Sequence, residues 1–175
     1  MTTITIIALL EPTPAQQEAL DATLTAFAEA SAEAVAVGRR AETMSNIVVH
    51  RLCYQRLRAR YGLSANLVVR AIAYAARQLK DSAGENGATV RVEYDARTRS
   101  FSHDARLASL STVRGRIKGI RLGLDTEERW RLQRGRLIRA VLSRPRPCRY
   151  VLSVSIVPRR AASLESLLAA SDNAI

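Results

Sequence analysis

Residues 3–20, TITIIALLEPTPAQQEAL, change their hydrophobic period halfway, and that change decides the fold. Thr3 and Thr5 alternate with Ile4 and Ile6 before the apolar run Ile7, Ala8, Leu9, Leu10, which predicts a short strand. Thr13 before Pro14 is then a helix N-cap with proline at the first helical position. The alanine-rich run from Ala15 to Val37 carries the helix to an expected stop at Gly38. A lone strand does not persist in water, so the first one is expected to pair with strands elsewhere in the chain.

Moving outward, a second helix is predicted from Thr43 to Tyr61, ended by Gly62. Ser64 caps a third, in which Leu67, Val68, Ala71, Ile72, Ala75 and Leu79 form one apolar stripe with Arg70, Arg77 and Lys80 off it. After the turn-rich segment 81–87, DSAGENG, the period becomes two. Val90, Val92 and Tyr94 alternate with Arg91, Glu93 and Asp95, and Tyr150, Leu152, Val154 and Ile156 alternate with Arg149, Val151, Ser153 and Ser155. Further strands are expected at 98–102, 112–124 and 136–143, with a short helix or turn at 125–133. The fold class predicted is α+β: a small antiparallel β-barrel from residues 1–10 and 88–158, a three-helix lobe at 11–87 inserted between its first and second strands, and a loose tail at 159–175.

Charge points to the partner. The chain has 175 residues, 27 Lys and Arg against 16 Asp and Glu, and a net charge of +11 at pH 7. Residues 1–38 hold five acids and no base, residues 39–80 carry +8, and residues 89–160 carry +12. Such an excess is the electrostatic footprint of a nucleic-acid binder. No stretch reaches the length of a spanning helix, and the first ten residues lack signal-peptide features, so a soluble, cytoplasmic protein without a membrane partner is expected. Cys53 and Cys148 fit neither a zinc pattern nor a disulfide framework and read as small buried residues.

Three constellations carry the functional reading. In STVRGRIKGIRLG, residues 111–123, Arg114, Arg116 and Lys118 fall on one face of an extended segment, with Gly115 and Gly119 leaving room for a phosphate backbone. Arg121, Arg129, Arg131, Arg134, Arg136 and Arg139 extend the bias; the competing reading is an edge strand made soluble by charge. On the second helix Arg51, Tyr54, Arg58 and Tyr61 share one face, which suits base stacking and phosphate contact, or equally packing against a neighbouring helix. Arg77 joins them as a lobe candidate. His50 and His103 lack a proton-transfer partner, and Glu93 with Asp95 lack the third carboxylate of a two-metal site, so these acids are expected to balance arginines. No P-loop, nucleophile elbow or HExxH is present, so no catalytic or metal-binding residue and no cofactor is expected.

The order of these elements resembles a known family. The residues are Pro12, Thr13, Gln16 and Leu20; Tyr54, Leu57, Arg58, Tyr61, Gly62 and Leu63; Ala65, Ala71 and Lys80; Tyr94, Asp95, Arg97, Ser100 and Phe101; and Ser109 to Thr112 with Gly115 and Arg116. Over residues 5–158 the chain resembles the N-terminal half of TnpB proteins, transposon-encoded RNA-guided nucleases related to compact type V CRISPR effectors. The resemblance implies a wedge barrel and a helical recognition lobe, with structured guide RNA and a DNA target as partners. It stops before the family's RuvC-like nuclease domain, so it implies a nuclease-deficient relative. The alternatives are the recognition subunit of a split nuclease with a separately encoded RuvC-like partner, and a regulator reading duplex DNA directly.

Overall fold

The computed structural model describes residues 2–80 and 91–158. The fold is α+β, built from one seven-stranded antiparallel sheet that curls into a nearly closed barrel, with three helices between its first two strands. Strand β1 (Ile4–Glu11) is followed by helices α1 (Pro14–Arg40), α2 (Asn46–Tyr61) and α3 (Ala65–Lys80). Then come β2 (Arg91–Tyr94), β3 (Arg99–Phe101), β4 (Leu107–Thr112), β5 (Gly115–Gly123), α4 (Thr126–Arg134), β6 (Arg136–Arg146) and β7 (Arg149–Val157). The sheet order is β2-β6-β7-β1-β5-β4-β3, which puts the N-terminal strand in the centre. It pairs antiparallel with β7 from Ile4↔Ile156 to Leu10↔Tyr150, and with β5 from Leu9↔Gly123 to Glu11↔Arg121.

Local chemistry sets the helix starts. Thr13 and Gln16 form a reciprocal capping box at α1, and Asp125 with Glu128 does the same at α4. Gly62 ends α2 in the left-handed region at φ +63°, which a side chain rarely adopts. The α3 stripe Leu67, Val68, Ala71, Ile72 and Ala75 is fully buried. One apolar cluster joins it to Phe27, Leu20 and Leu24 of α1 and to Ile6, Ala8, Leu10, Val92, Tyr94, Leu152 and Val154 of the sheet.

Several sequence expectations need correction. Helix α1 does not stop at Gly38 but runs on to Arg40. Gly38 is buried, and a Cβ there would collide with the Leu79 side chain of α3 and lie 3.1 Å from the Thr43 carbonyl. It serves close helix packing, not termination. Helix α2 begins at Asn46, three residues later than predicted. The strand expected at 112–124 is the second half of a hairpin: β4 was missed, and Val113 and Arg114 form a tight turn that closes at the Thr112↔Gly115 pair. Gly115, at φ +94°, makes this turn possible. Strand β3 spans only Arg99–Phe101, and β6 extends to Arg146, with Pro145 falling where the β6–β7 register shifts and no regular ladder bond is required. Cys53 is buried as expected, but Cys148 is exposed at φ +58° in the turn after Pro147. Val90, the 81–87 segment and the 159–175 tail lie outside the described residues.

Candidate nucleic-acid interface

Strand β5 carries the most coherent group of cations, and its geometry depends on one bulge. Arg116 and Lys118 are exposed on the outer face. Strict alternation would turn Arg121 inward. Instead the β4–β5 register shifts between Ala108 and Leu110, with Gly119 at φ +72°, so that Ile120 and Leu122 point into the core and Arg121 stays outside. Arg116, Lys118 and Arg121 therefore share one side of the sheet. Helix α1 holds this hairpin in place: Gln16 Nε2 donates to the Lys118 carbonyl (2.9 Å) and the Val113 N–H donates to Thr23 Oγ1 (3.1 Å).

The cations differ in how free they are. Arg114 is not on the strand face; it sits in the turn and pairs with Glu18 of α1 at 2.8 Å. Arg121 pairs with Glu11 at 3.3 Å. All four of these side chains are well exposed, so each pair holds about 0–1 kcal/mol and opens readily. Among the described residues Arg116 and Lys118 have no carboxylate partner; Arg116 Nη1 donates only to the Arg97 carbonyl, at 3.4 Å. Arg136 and Arg139 are exposed on β6, three strands from β5 in sheet order, and are not part of the same cluster.

The α2 face divides. Arg51 and Arg58 are exposed and have no carboxylate partner among the described residues. Tyr54 is half-buried and stacks on His50, with ring centroids 4.5 Å apart, so His50 is an aromatic neighbour here. Tyr61 turns to α1, donating its hydroxyl to Glu33 Oε2 at 2.8 Å, while Arg56 and Arg60 bind the same carboxylate at 2.6 and 3.4 Å. Burial alone would raise the Glu33 pKa, but the bonds from Tyr61 and Arg56 and the charge of Arg60 hold it below its usual value. These side chains fasten α2 to α1. Arg77 is likewise engaged, bound to Glu93 and lying over the Tyr74 ring at 5.8 Å. Arg70 binds Asp95 at 3.0 Å, so Glu93 and Asp95 do balance arginines.

Two features escaped the sequence reading. Trp130 of α4 is half exposed, with the Arg134 guanidinium 5.1 Å from its ring centroid, an aromatic and a cation offered together at the surface. Arg99 of β3 is only 4% exposed, and its Nε has no hydrogen-bond partner. Burial pushes the Arg99 pKa down and the Asp95 charge pushes it back up. Alternating strands are read with arginine outward, so an inward arginine gives no signal in the pattern. Among the described residues no helix is long and apolar enough to cross a membrane, and no three His, Cys, Asp or Glu side chains gather as metal ligands. No protein-family model matches the chain, and no curated protein matches it either.

Proposed function

We propose that this protein is a nucleic-acid-binding module that holds a structured, guide-type RNA, and duplex DNA through it, as a relative of TnpB working in the prokaryotic cytoplasm. The observation that carries the reading is the outer face of β5. The Gly119 bulge keeps Arg116, Lys118 and Arg121 on one side, and glycine at 115 and 119 removes the side chains that would hold a phosphate backbone away. The net charge of +11 supplies the long-range attraction. Arg51 and Arg58 of α2, with Tyr54 beside them, give the helices a second contact surface. In this reading the helices act as the recognition lobe and the sheet as the wedge.

The test is to express the chain in its host, purify it through a high-salt wash and sequence the nucleic acid that remains bound. One enriched structured RNA is the expected result. Random RNA or none would remove the guide from the reading, and a preference for short duplex DNA over every RNA would make the protein a direct DNA binder.

A further inference from the structure

The turn between β2 and β3 collects arginines from three separate parts of the chain. Asp95 organises it: its Oδ1 accepts from the backbone N–H groups of Arg97 (2.9 Å) and Thr98 (3.1 Å), and its carbonyl accepts from Arg99 N–H at 3.2 Å. Arg70 of α3 binds Asp95 Oδ2 through Nε and Nη2, at 3.3 and 3.0 Å. Arg116 of β5 reaches the Arg97 carbonyl. Of these arginines only Arg70 reaches the Asp95 carboxylate through its guanidinium; Arg97 offers it a backbone N–H and the charge of Arg99 lies near it, so the carboxylate is already occupied by Arg70 and by the turn's own N–H groups.

Arg99 is the unusual member. It is 4% exposed, its guanidinium lies 5.6 Å from the centroid of the Phe101 ring, and its Nε has no hydrogen-bond partner among the described residues. A buried guanidinium is ordinarily paired, because desolvating a charge without hydrogen bonds is costly. Tyr94, the last residue of β2, is also buried with an unpaired hydroxyl, so both strands that flank the turn carry unused polar atoms. A protein gains nothing in stability from this arrangement. A tetrahedral oxyanion would satisfy it, because the guanidinium fork binds phosphate oxygens in pairs.

We propose that the β2–β3 turn is a phosphate-binding site in which Arg99 is the central ligand and Arg70 and Arg97 form its rim, and that it receives one phosphodiester group of the bound RNA. The site rests on the RNA-binding reading for the source of its phosphate, but its chemistry does not depend on β5.

The experiment measures the thermal midpoint of the full chain in inorganic phosphate against chloride at matched ionic strength. It compares the wild type, Arg99→Met and Arg99→Lys, and then the affinity of each for an RNA hairpin. General salting effects of phosphate act equally on all three proteins, so only the difference counts. The expected result is a phosphate-specific rise in the wild type, absent in Arg99→Met and reduced in Arg99→Lys, which keeps the charge but not the fork. RNA affinity should fall about tenfold in Arg99→Met, in line with the loss of one charge-assisted hydrogen-bonded contact. Should Arg99→Met fail to fold, Arg99→Lys and Arg97→Gln carry the comparison. An equal phosphate response in all variants overturns the site. A phosphate response that depends on Arg99 while RNA affinity stays constant overturns the RNA assignment and leaves a site for free phosphate. The wider RNA-binding reading stands or falls separately, on the response to Arg116 and Lys118 described below.

Discussion

Neutralising Arg116 and Lys118 together, as Arg116→Gln with Lys118→Gln, isolates the electrostatic work of β5. Both side chains are exposed and neither has a carboxylate partner among the described residues, so the change leaves no orphaned acid and should alter stability by less than about 0.5 kcal/mol. Each phosphate contact made by a cation releases roughly 0.7 counterions from a single strand and about 0.9 from a duplex. Two lost contacts therefore lower the slope of log K against log salt by about 1.4 to 1.8. The same relation sets the affinity loss at about 25- to 60-fold in 0.1 M salt and roughly threefold in 0.5 M. Fluorescence anisotropy on one RNA hairpin, from low to high potassium chloride, reads both quantities at once. A parallel shift with unchanged slope would mean that the two residues act through structure, not phosphate contact. No shift at all would remove β5 from the interface.

Other changes test the framework around that face. Glu18→Gln should free Arg114 from its 2.8 Å ion pair, raising RNA affinity and steepening its salt dependence in the same assay; an unchanged slope would show that Arg114 does not reach the ligand. Gly135→Ala should cost about 1–3 kcal/mol in urea unfolding although φ −72° suits any residue, because the new Cβ would lie 2.9 Å from both Arg131 O and Ile156 Cβ. A neutral result would mean that the α4–β6 junction yields to admit a methyl group. The Glu33 pKa is depressed on folding, so its ties to Arg56, Arg60 and Tyr61 stabilise the protein above the unfolded value of 4.5 and fade as pH falls through the folded value. The stability gap between wild type and Glu33→Gln should accordingly shrink between pH 7 and about pH 3. Tyr150 behaves oppositely: burial, then its bond to Asp21, raises it to about 12, so its contribution persists below the ordinary tyrosine range and is lost as pH rises through about 12. Absorbance titration should show one fewer late-ionising tyrosine in Tyr150→Phe than in the wild type, because burial also raises Tyr94.

The order of elements was legible because each segment kept one period and its ends had chemical marks: Thr13 with Pro14, Gly62, and Asp125 with Glu128. What failed was the meaning of single residues whose neighbours in space are far away in sequence. Gly38 reads as a helix stop, yet Leu79, 41 residues further along, requires the missing side chain. Ile7 and Leu9 read as part of one apolar run with Ala8 and Leu10, yet they are 62% and 41% exposed, because the register with β7 points Ile6, Ala8 and Leu10 inward instead. The β4–β5 turn lacks an Asn-Gly or Asp-Gly pair, so no hairpin was expected there and β4 was missed. The β5 cations were visible, but the bulge that aligns Arg121 with them depends on pairing with β4, a strand the pattern did not reveal.

The charge distribution has the same lesson in it. The N-terminal 38 residues carry five acids and no base, which as a sequence is only an acidic segment. In the fold four of those five meet arginines from later elements: Glu11 meets Arg121, Glu18 meets Arg114, Asp21 meets Arg144 at 2.7 Å, and Glu33 meets Arg56 and Arg60. Strand β1 and helix α1 thus discharge the surfaces they touch and fasten the hairpin, the β6 end and α2 around themselves. Among the described residues, cations without a carboxylate partner include Arg39 and Arg40 at the end of α1, Arg116 and Lys118 on β5, Arg51 and Arg58 on α2, Arg136 and Arg139 on β6, and Arg97 at the β2–β3 turn. A polyanion gains least where α1 has already supplied carboxylates and most where it has not. On the proposed nucleic-acid reading, the acids of α1 would direct the ligand by neutralising the alternatives, so charge reversal at Glu18 or Asp21 should broaden binding while loss of Arg116 and Lys118 should weaken its preferred track.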